Sequence, residues 1–429
     1  MVPPKQAPCS APGFAVGLEA VLSEKIPLHR PDIGEEDVAA VTAVLRSGWL
    51  TTGNECRQFE SEFAAFVGAK YAVALNSCTA ALHLALEATG CQRGDCVVVP
   101  TMTFAATAEV VAYFGAIPVL VDCDRDTLTI DVAAAARTLA ELHAGRSVGG
   151  VVATGRVHAI MPVHYGGQMA DVDAVSALAQ RYKLHVIEDA AHALPAAVRT
   201  ASGGWRSVGT TAEQTCFSFY ANKTITTGEG GMLVTNDESL VSRARRMSLH
   251  GLSNDAWNRF RGGGWDYQIM SAGFKYNMTD VAAALGRQQL RKAASLAASR
   301  GRIAARYAEL LGNVEEVELP TVRSDRQHAW HLYVVRLRLD RLTIGRNEFI
   351  EELNQRGIGT SVHWRPLHLH PYYQERFSYQ PGDLPVADEE WERFISLPVF
   401  PSMTDEEIER VARAVRTIAG NHAQSRSVA

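Results

Sequence analysis

The sequence predicts an α/β protein: a large domain with a mostly parallel sheet between helices, followed by a smaller C-terminal α+β domain. Two patterns carry that prediction. From Tyr71 to about residue 250, short apolar runs alternate with helix-period segments, as strands do when crossover helices return them in one direction. Past residue 315 the texture changes to alternating strands with fewer helices. A chain of 429 residues also exceeds what one small core occupies.

Residues 1–25 hold an apolar run broken by Glu19, with no basic region ahead of it. They read as a mobile arm and not as a signal peptide. The large domain is expected over 26–315. Its alternation starts with YAVAL and a helix over Ala80–Thr89, then CVVVP and Phe104–Phe114, then PVLVDC and Val132–Leu142. AIMPVHY precedes Val172–Tyr182, HVIEDA follows, and GGMLVTN leads into a helix over Leu240–Leu249. An Ala/Leu-rich helix runs from Asp280 to about Leu311, long enough to bridge two domains. The small domain, 316–429, opens on HAWHLYVVRLRL, carries helices at Asn347–Gln355 and Asp405–Ala419, and ends in a frayed NHAQSRSVA.

Charge and cysteine usage narrow the function. The balance of 42 Lys+Arg against 47 Asp+Glu gives a net charge of -5 without blocks of like charge, which argues against nucleic acid or an anionic membrane as partner. No stretch reaches the roughly 18 unbroken apolar residues that span a bilayer. Seven cysteines, an odd number without Cys-x-x-Cys pairing, favour reduced thiols in a cytoplasmic protein.

In open parallel sheets ligands sit at the carboxyl ends of the strands, and those ends are polar here: Asn76-Ser77, Thr101–Phe104, Asp122, His164 and Asp189. The stretch SFYANKTITTGEGG, 218–231, sets Lys223 between an aromatic run, expected to form an apolar wall, and glycines that let a ligand approach the backbone. A lysine held in such a cleft can be neutral and nucleophilic. A lysine-bound carbonyl cofactor suggests pyridoxal phosphate, whose ring nitrogen needs a carboxylate. Asp189, ending a buried strand, suits that role, and His192 suits the ring oxygen. Ser77, Thr79 and the Ala80 amide, at the start of a helix, suit a phosphate, with Ser218 on the other side and Phe104 stacking on the ring. Each has a plain alternative: a helix N-cap for Asp189, Ser77 and Thr79, a core residue for His192 and Phe104. The histidines His363, His368 and His370 read as an active-site rim. No metal is expected, because Pro366 interrupts any helical face and no cysteine or carboxylate completes a ligand set.

Taken together, NSCTAALHLAL, GDCVVVPTMTFAATA, VIEDAAHA, FSFYANKTITTGEGG, GFKYNMTDVAAALG and HLYVVRL...RGIGTSVHWRPLH resemble the DegT/StrS family of sugar aminotransferases, from about Ile26 to the last helix. IPLHRPDIGEEDVAAVTAVLRSGWLTTG and PYYQERF...ISLPVFPSMTDEE look most like its enzymes that aminate C4 of UDP-4-keto sugars, such as UDP-4-amino-4-deoxy-L-arabinose aminotransferase. The resemblance implies a type I pyridoxal-phosphate fold, L-glutamate as donor, and an obligate homodimer with active sites at the subunit interface. It implies Lys223 as the Schiff-base lysine and general base, Asp189 on the pyridine nitrogen, His192 near the ring oxygen, and Ser218 and Thr79 on the phosphate. Lys275 or Asn277 of GFKYNM would reach the neighbouring subunit's phosphate or substrate. Arg365 and Arg30 are the cations expected for the donor's carboxylate and the nucleotide's diphosphate, while Trp49, Thr52 and His363 would border the sugar. Lys223 argues against the family's sugar 3-dehydratases, which carry histidine there. Two rivals stay open: an aminotransferase for a dTDP-3-keto sugar or a cyclitol ketone, and a regulatory homologue without chemistry, against which the intact Lys223, Asp189 and Ser218 speak.

Overall fold

Asp37 and Gly48 bracket the first helix of the computed structural model, which describes residues 25–149, 151, 155–200, 202–253 and 266–424. Except for Lys25, the arm expected over 1–25 lies outside the described residues. Helix α1 (Glu35–Ser47) starts where the Asp37 carboxylate accepts the Gly34 N–H at 2.8 Å and stops at Gly48 in the left-handed region. Helix α2 (Asn54–Val67) buries Phe59 and Phe63, one turn apart.

The alternation then unfolds in order: β1 (Tyr71–Leu75), α3 (Cys78–Ala88), β2 (Cys96–Pro100), α4 (Ala106–Tyr113), β3 (Ile117–Val121), α5 (Val132–His143), β4 (Val157–Ile160), α6 (Val172–Tyr182) and β5 (His185–Asp189). After a small hairpin of β6 (Ala197–Arg199) and β7 (Trp205–Ser207) come β8 (Gln214–Ser218), β9 (Gly231–Thr235), α7 (Glu238–Met247) and the long α8 (Asp280–Leu311). Aspartates start several of these helices. Asp131, Asp171 and Asp237 each accept main-chain N–H groups of the first turn, satisfying donors the helix leaves free. That cap begins α7 at Glu238, two residues before the expected start.

Seven strands form one sheet in the order β1-β9-β8-β5-β4-β2-β3. Only β9 runs against the others, being antiparallel to both β1 and β8. The valines of β2, Val97 to Val99, are wholly buried, as expected for a strand covered on both faces. Both outer strands have main-chain groups occupied by side chains. At β1, the Ala74 N–H donates to Glu60 Oε1 at 3.0 Å and Arg245 donates to the Ala72 carbonyl at 2.9 Å. At β3, the Leu120 N–H donates to the Tyr379 hydroxyl at 2.7 Å.

The remaining elements are β10 (Val317–Glu318), β11 (Arg326–Gln327), β12 (Tyr333–Leu337), α9 (Arg346–Gln355), α10 (Pro371–Phe377), α11 (Pro385–Trp391), β13 (Phe394–Leu397) and α12 (Asp405–Asn421). A three-stranded antiparallel sheet, β10-β12-β13, shares a core with α9, α12 and the last turns of α8, including Tyr307, Phe349 and Val411. Strand β11 instead pairs with β6, forming a third sheet in the order β11-β6-β7. No helix among the described residues is long and apolar enough to cross a membrane. The six described cysteines are free and buried.

Candidate active site

A cavity of about 480 Å³ opens at the carboxyl ends of β1, β5 and β8. Strand alternation decides what β8 shows it. Phe217 and Phe219 point away, onto Phe63 at 5.0 and 5.4 Å and, for Phe219, onto Phe59 at 5.2 Å. Ser218 and Tyr220 therefore line the cavity. The two phenylalanines anchor the lysine loop in the core, so of the aromatic run expected to form an apolar wall only Tyr220 faces the cavity.

The threonines that follow hold the loop's shape. The Thr226 hydroxyl donates to the Phe219 carbonyl at 3.1 Å and accepts the Gly228 N–H at 2.9 Å, and the Thr227 hydroxyl donates to the Glu229 carbonyl at 2.6 Å. The loop presents Lys223 inward, with Nζ 3.5 Å from His331 Nε2. Burial pushes this amine down to about 8, against the pull of Cys78 and Asp189. A neutral, nucleophilic amine is thus within reach near neutral pH.

Asp189 closes β5 with its carboxylate buried. Oδ2 accepts the Thr107 hydroxyl at 2.8 Å and Oδ1 accepts the Ala191 N–H at 3.0 Å. It starts a turn and not the helix that an N-cap would begin. Burial raises its pKa, opposed first by the Thr107 bond; a cation placed beside it would offset that burial. Three residues on, His192 Nδ1 accepts the Gly166 N–H at 3.3 Å, which leaves the ring proton on Nε2. Burial holds His192 uncharged.

The turn Tyr165-Gly166-Gly167 brings distant residues to this histidine. Gly167, at φ +109°, passes so close that a Cβ would lie 2.9 Å from Trp330 N and 3.1 Å from both His192 O and His331 N. The Gly166 carbonyl accepts the Leu332 N–H at 3.0 Å. His192 consequently packs against His331 with ring centroids 4.1 Å apart, and against Trp364 at 4.9 Å.

At the other end, Ser77 caps α3 by accepting the Ala80 N–H at 3.1 Å, and Thr79 and Ser218 line the same pocket. Gly231 makes the approach possible: a Cβ there would lie 2.4 Å from the Ser77 carbonyl and 2.5 Å from Cys78 N. Hydroxyls, a helix N-terminus, a buried amine and a buried carboxylate fit a phosphate, a carbonyl and a protonated ring nitrogen. The residues present therefore fit pyridoxal phosphate.

Of the residues picked from sequence, the cavity gathers Ser77, Thr79, Phe104, Asp189, His192, Ser218, Lys223 and His363. Phe104 stays 58% exposed at its mouth. Others lie apart. Arg30 sits 3.9 Å from Glu407 and over the Phe400 ring, and Arg365 is exposed. Thr52 and Asn277 line a separate cavity of about 500 Å³ along β1, and Asn277 is bonded to Thr52 and to the exposed Lys275. Trp49 Nε1 donates to the Thr52 carbonyl at 3.4 Å. His368 is not a rim residue: it is buried, bonded to Thr101 and Asp388 at 2.8 Å each. His370 Nε2 lies 3.3 Å from the Arg365 carbonyl. Sequence reasoning missed His331, Trp364, Tyr220 and Asn222 as lining residues. Tyr220 and Asn222 flank the lysine and were legible from adjacency, whereas nothing local marks His331.

Sheet, lysine loop and cavity define a pyridoxal-phosphate-dependent enzyme of the type I fold, an aminotransferase. Residues 31–416 match the DegT/DnrJ/EryC1/StrS aminotransferase family, and the chain belongs to it. It is 45% identical over 395 residues to the Bacillus subtilis spore coat polysaccharide biosynthesis protein SpsC, covering 92% of this chain and 97% of that one. Among solved structures, Streptococcus pneumoniae Spr1654 superposes with TM-scores of 0.83 in its PMP form and 0.82 in its PLP form, at 29% identity over 92% of this chain and 99% of that one. Helicobacter pylori PseC, an aminotransferase involved in the biosynthesis of pseudoaminic acid, matches at TM-score 0.81 and 27% identity, covering 92% of this chain and all of that one, 100%.

Proposed function

We propose that the protein transfers the amino group of L-glutamate to a nucleotide-linked keto sugar, at C4 of a UDP-4-keto sugar. The observation that carries this reading is the buried Lys223 amine facing His331 at 3.5 Å in a cavity that also holds Asp189. The cofactor supplies a carbonyl that captures amines and an electron-poor ring that takes up the electron pair left when an α-proton departs. Lys223 Nζ is the base that removes that proton from the donor, and the acid that delivers one to the sugar carbon in the second half of the cycle. Asp189 keeps the ring nitrogen protonated from within a dry site, and Thr107 holds its carboxylate in line. His192 donates from Nε2 toward the ring oxygen. Ser77, Thr79 and Ser218 would hold the phosphate and Phe104 would stack across the ring, while the Ala80 amide expected to join them is taken up by the Ser77 cap.

Likeness to SpsC and PseC supports a sugar acceptor, and the resemblance of the IPLHRPDIG...SGWLTTG and PYYQERF...ISLPVFPSMTDEE stretches supports C4 amination. Among the described residues lining the cavity, Lys223 is the sole lysine or arginine, yet a dicarboxylate donor and a diphosphate need further cations. We assign these to a homodimer, in which Lys275 or Asn277 of the partner subunit enters the site, with Arg365 and Arg30 at its approach. The Asn76 N–H donates to the Tyr276 carbonyl at 2.8 Å, which sets this segment beside Ser77. Activity in the cytoplasm fits the buried free thiols.

The test is the visible absorption of the protein with pyridoxal phosphate, before and after adding L-glutamate alone. A cofactor band that bleaches on adding glutamate, and returns with a UDP-4-keto sugar but not with a dTDP-3-keto sugar or a cyclitol ketone, is the expected result. Lys223→Ala should bind cofactor and leave the band unchanged by glutamate; measurable turnover by that variant would remove Lys223 from its role.

A further inference from the structure

Behind the lysine lies a second cation that the proposed chemistry does not use. Arg300, on α8, is 1% exposed. Its Nη1 donates to the Val399 carbonyl at 2.6 Å and to the Trp330 and His331 carbonyls at 3.4 Å each. Its Nε and Nη2 have no partner among the described residues, and no carboxylate among them offsets its charge. An arginine this deep ordinarily carries a carboxylate partner, because an uncompensated buried charge is costly. This one grips the peptide carbonyl of the residue whose ring faces Lys223.

We propose that Arg300 is a positioning residue for Lys223: it fixes the His331 main chain so that the ring faces the amine, and it sets a second, unpaired positive charge behind the site. The inference rests on Lys223 being the reactive amine. The groups around it come from every packed segment. His331 lies on the β11–β12 connection, His192 follows β5, and His363 precedes α10. His29, from the N-terminal segment, sits with Nε2 3.0 Å from the Ala221 carbonyl. Asp189 and Cys78, from the opposite side, favour the charged amine. Arg300 acts in the other direction on Lys223, His331 and His29: directly after burial for His29, after burial, Cys78 and Asp189 for Lys223, and after burial, His192 and Lys223 for His331.

Arg300→Gln removes the charge and Arg300→Lys keeps it while changing the donors. Each variant and the wild type, stripped of cofactor, would be given pyridoxal phosphate across a pH series and reduced with borohydride, and the label at Lys223 counted by mass spectrometry. Arg300→Gln should move the labelling midpoint up by about one pH unit, roughly a tenfold loss below the midpoint, and Arg300→Lys should keep the wild-type midpoint. A purely structural arginine would lower the melting temperature of Arg300→Gln and leave its midpoint in place, which overturns the inference. Should Arg300→Gln not fold, histidine NMR of the unaltered apoprotein decides. His331 is expected to stay neutral well below its ordinary value of about 6.5, and a His331 titrating near that value overturns the inference. Absence of label at Lys223 in the wild type would overturn the proposed function itself, a result distinct from a label with an unmoved midpoint.

Discussion

Asp189 is where burial and charge meet most directly. Its carboxylate is buried and raised, and the two hydrogen bonds it accepts pull against that rise. Asp189→Asn preserves shape and the Ala191 contact, turns the acceptor facing Thr107 into a donor, and deletes the charge. We expect turnover to fall on the order of 10²-fold or more, with an unchanged melting temperature; a near-normal rate in steady-state assays would place the pyridine partner elsewhere. Lys223, Asp189 and Ser77 were legible because each sits in a contiguous stretch whose chemistry is local: a loop of glycines, a strand end, a helix start. His331 was not, since it lies 108 positions from Lys223 and reaches it only through the Gly166–Gly167 turn. The helix-cap alternative for Ser77 is also realised, so one hydroxyl both starts α3 and lines the cavity.

At the scale of elements, β9 does more than complete a sheet. Its first residue, Gly231, lets the strand run against the N-terminus of α3, and any Cβ would press on Ser77 and Cys78. Gly231→Ala should push the helix start outward, costing about 1–3 kcal/mol of stability and weakening phosphate affinity by roughly tenfold. Denaturant titration and cofactor binding would check both, and a variant that matched wild type in each would contradict the packing described. The buried strands and long helices were legible because continuous apolar runs and 3.6-residue periodicity are strong signals. Helix starts were less so: α3 and α7 begin two residues earlier than expected, behind a serine and an aspartate cap, whereas the aspartate-capped α5 and α6 begin where expected. Phe217 and Phe219, though not Tyr220, fall on the core side and not the cavity side, because period-2 alternation tells which residues share a face and not which face meets the core.

Across the whole molecule, folding keeps several histidines uncharged. Burial is the leading cause that lowers His29, His83, His158 and His363 from 6.5 to about 4. Between those values the unfolded chain takes up protons that the folded chain refuses, so acid favours unfolding. Stability from these groups should be level above about pH 6.5 and decline as pH falls toward 4. Urea midpoints at about pH 7.5, 6 and 5 should descend in that order, and equal midpoints would show that these rings titrate freely. The outer strands of the main sheet carry a separate consequence. Glu60 and Arg245 occupy the β1 rim, and Tyr379 occupies the β3 rim, where a strand from another molecule would otherwise dock. Copies of this chain therefore cannot join end to end into a continuous ribbon through those positions. Three side chains far from its chemistry thus guard these rims against fibrous growth.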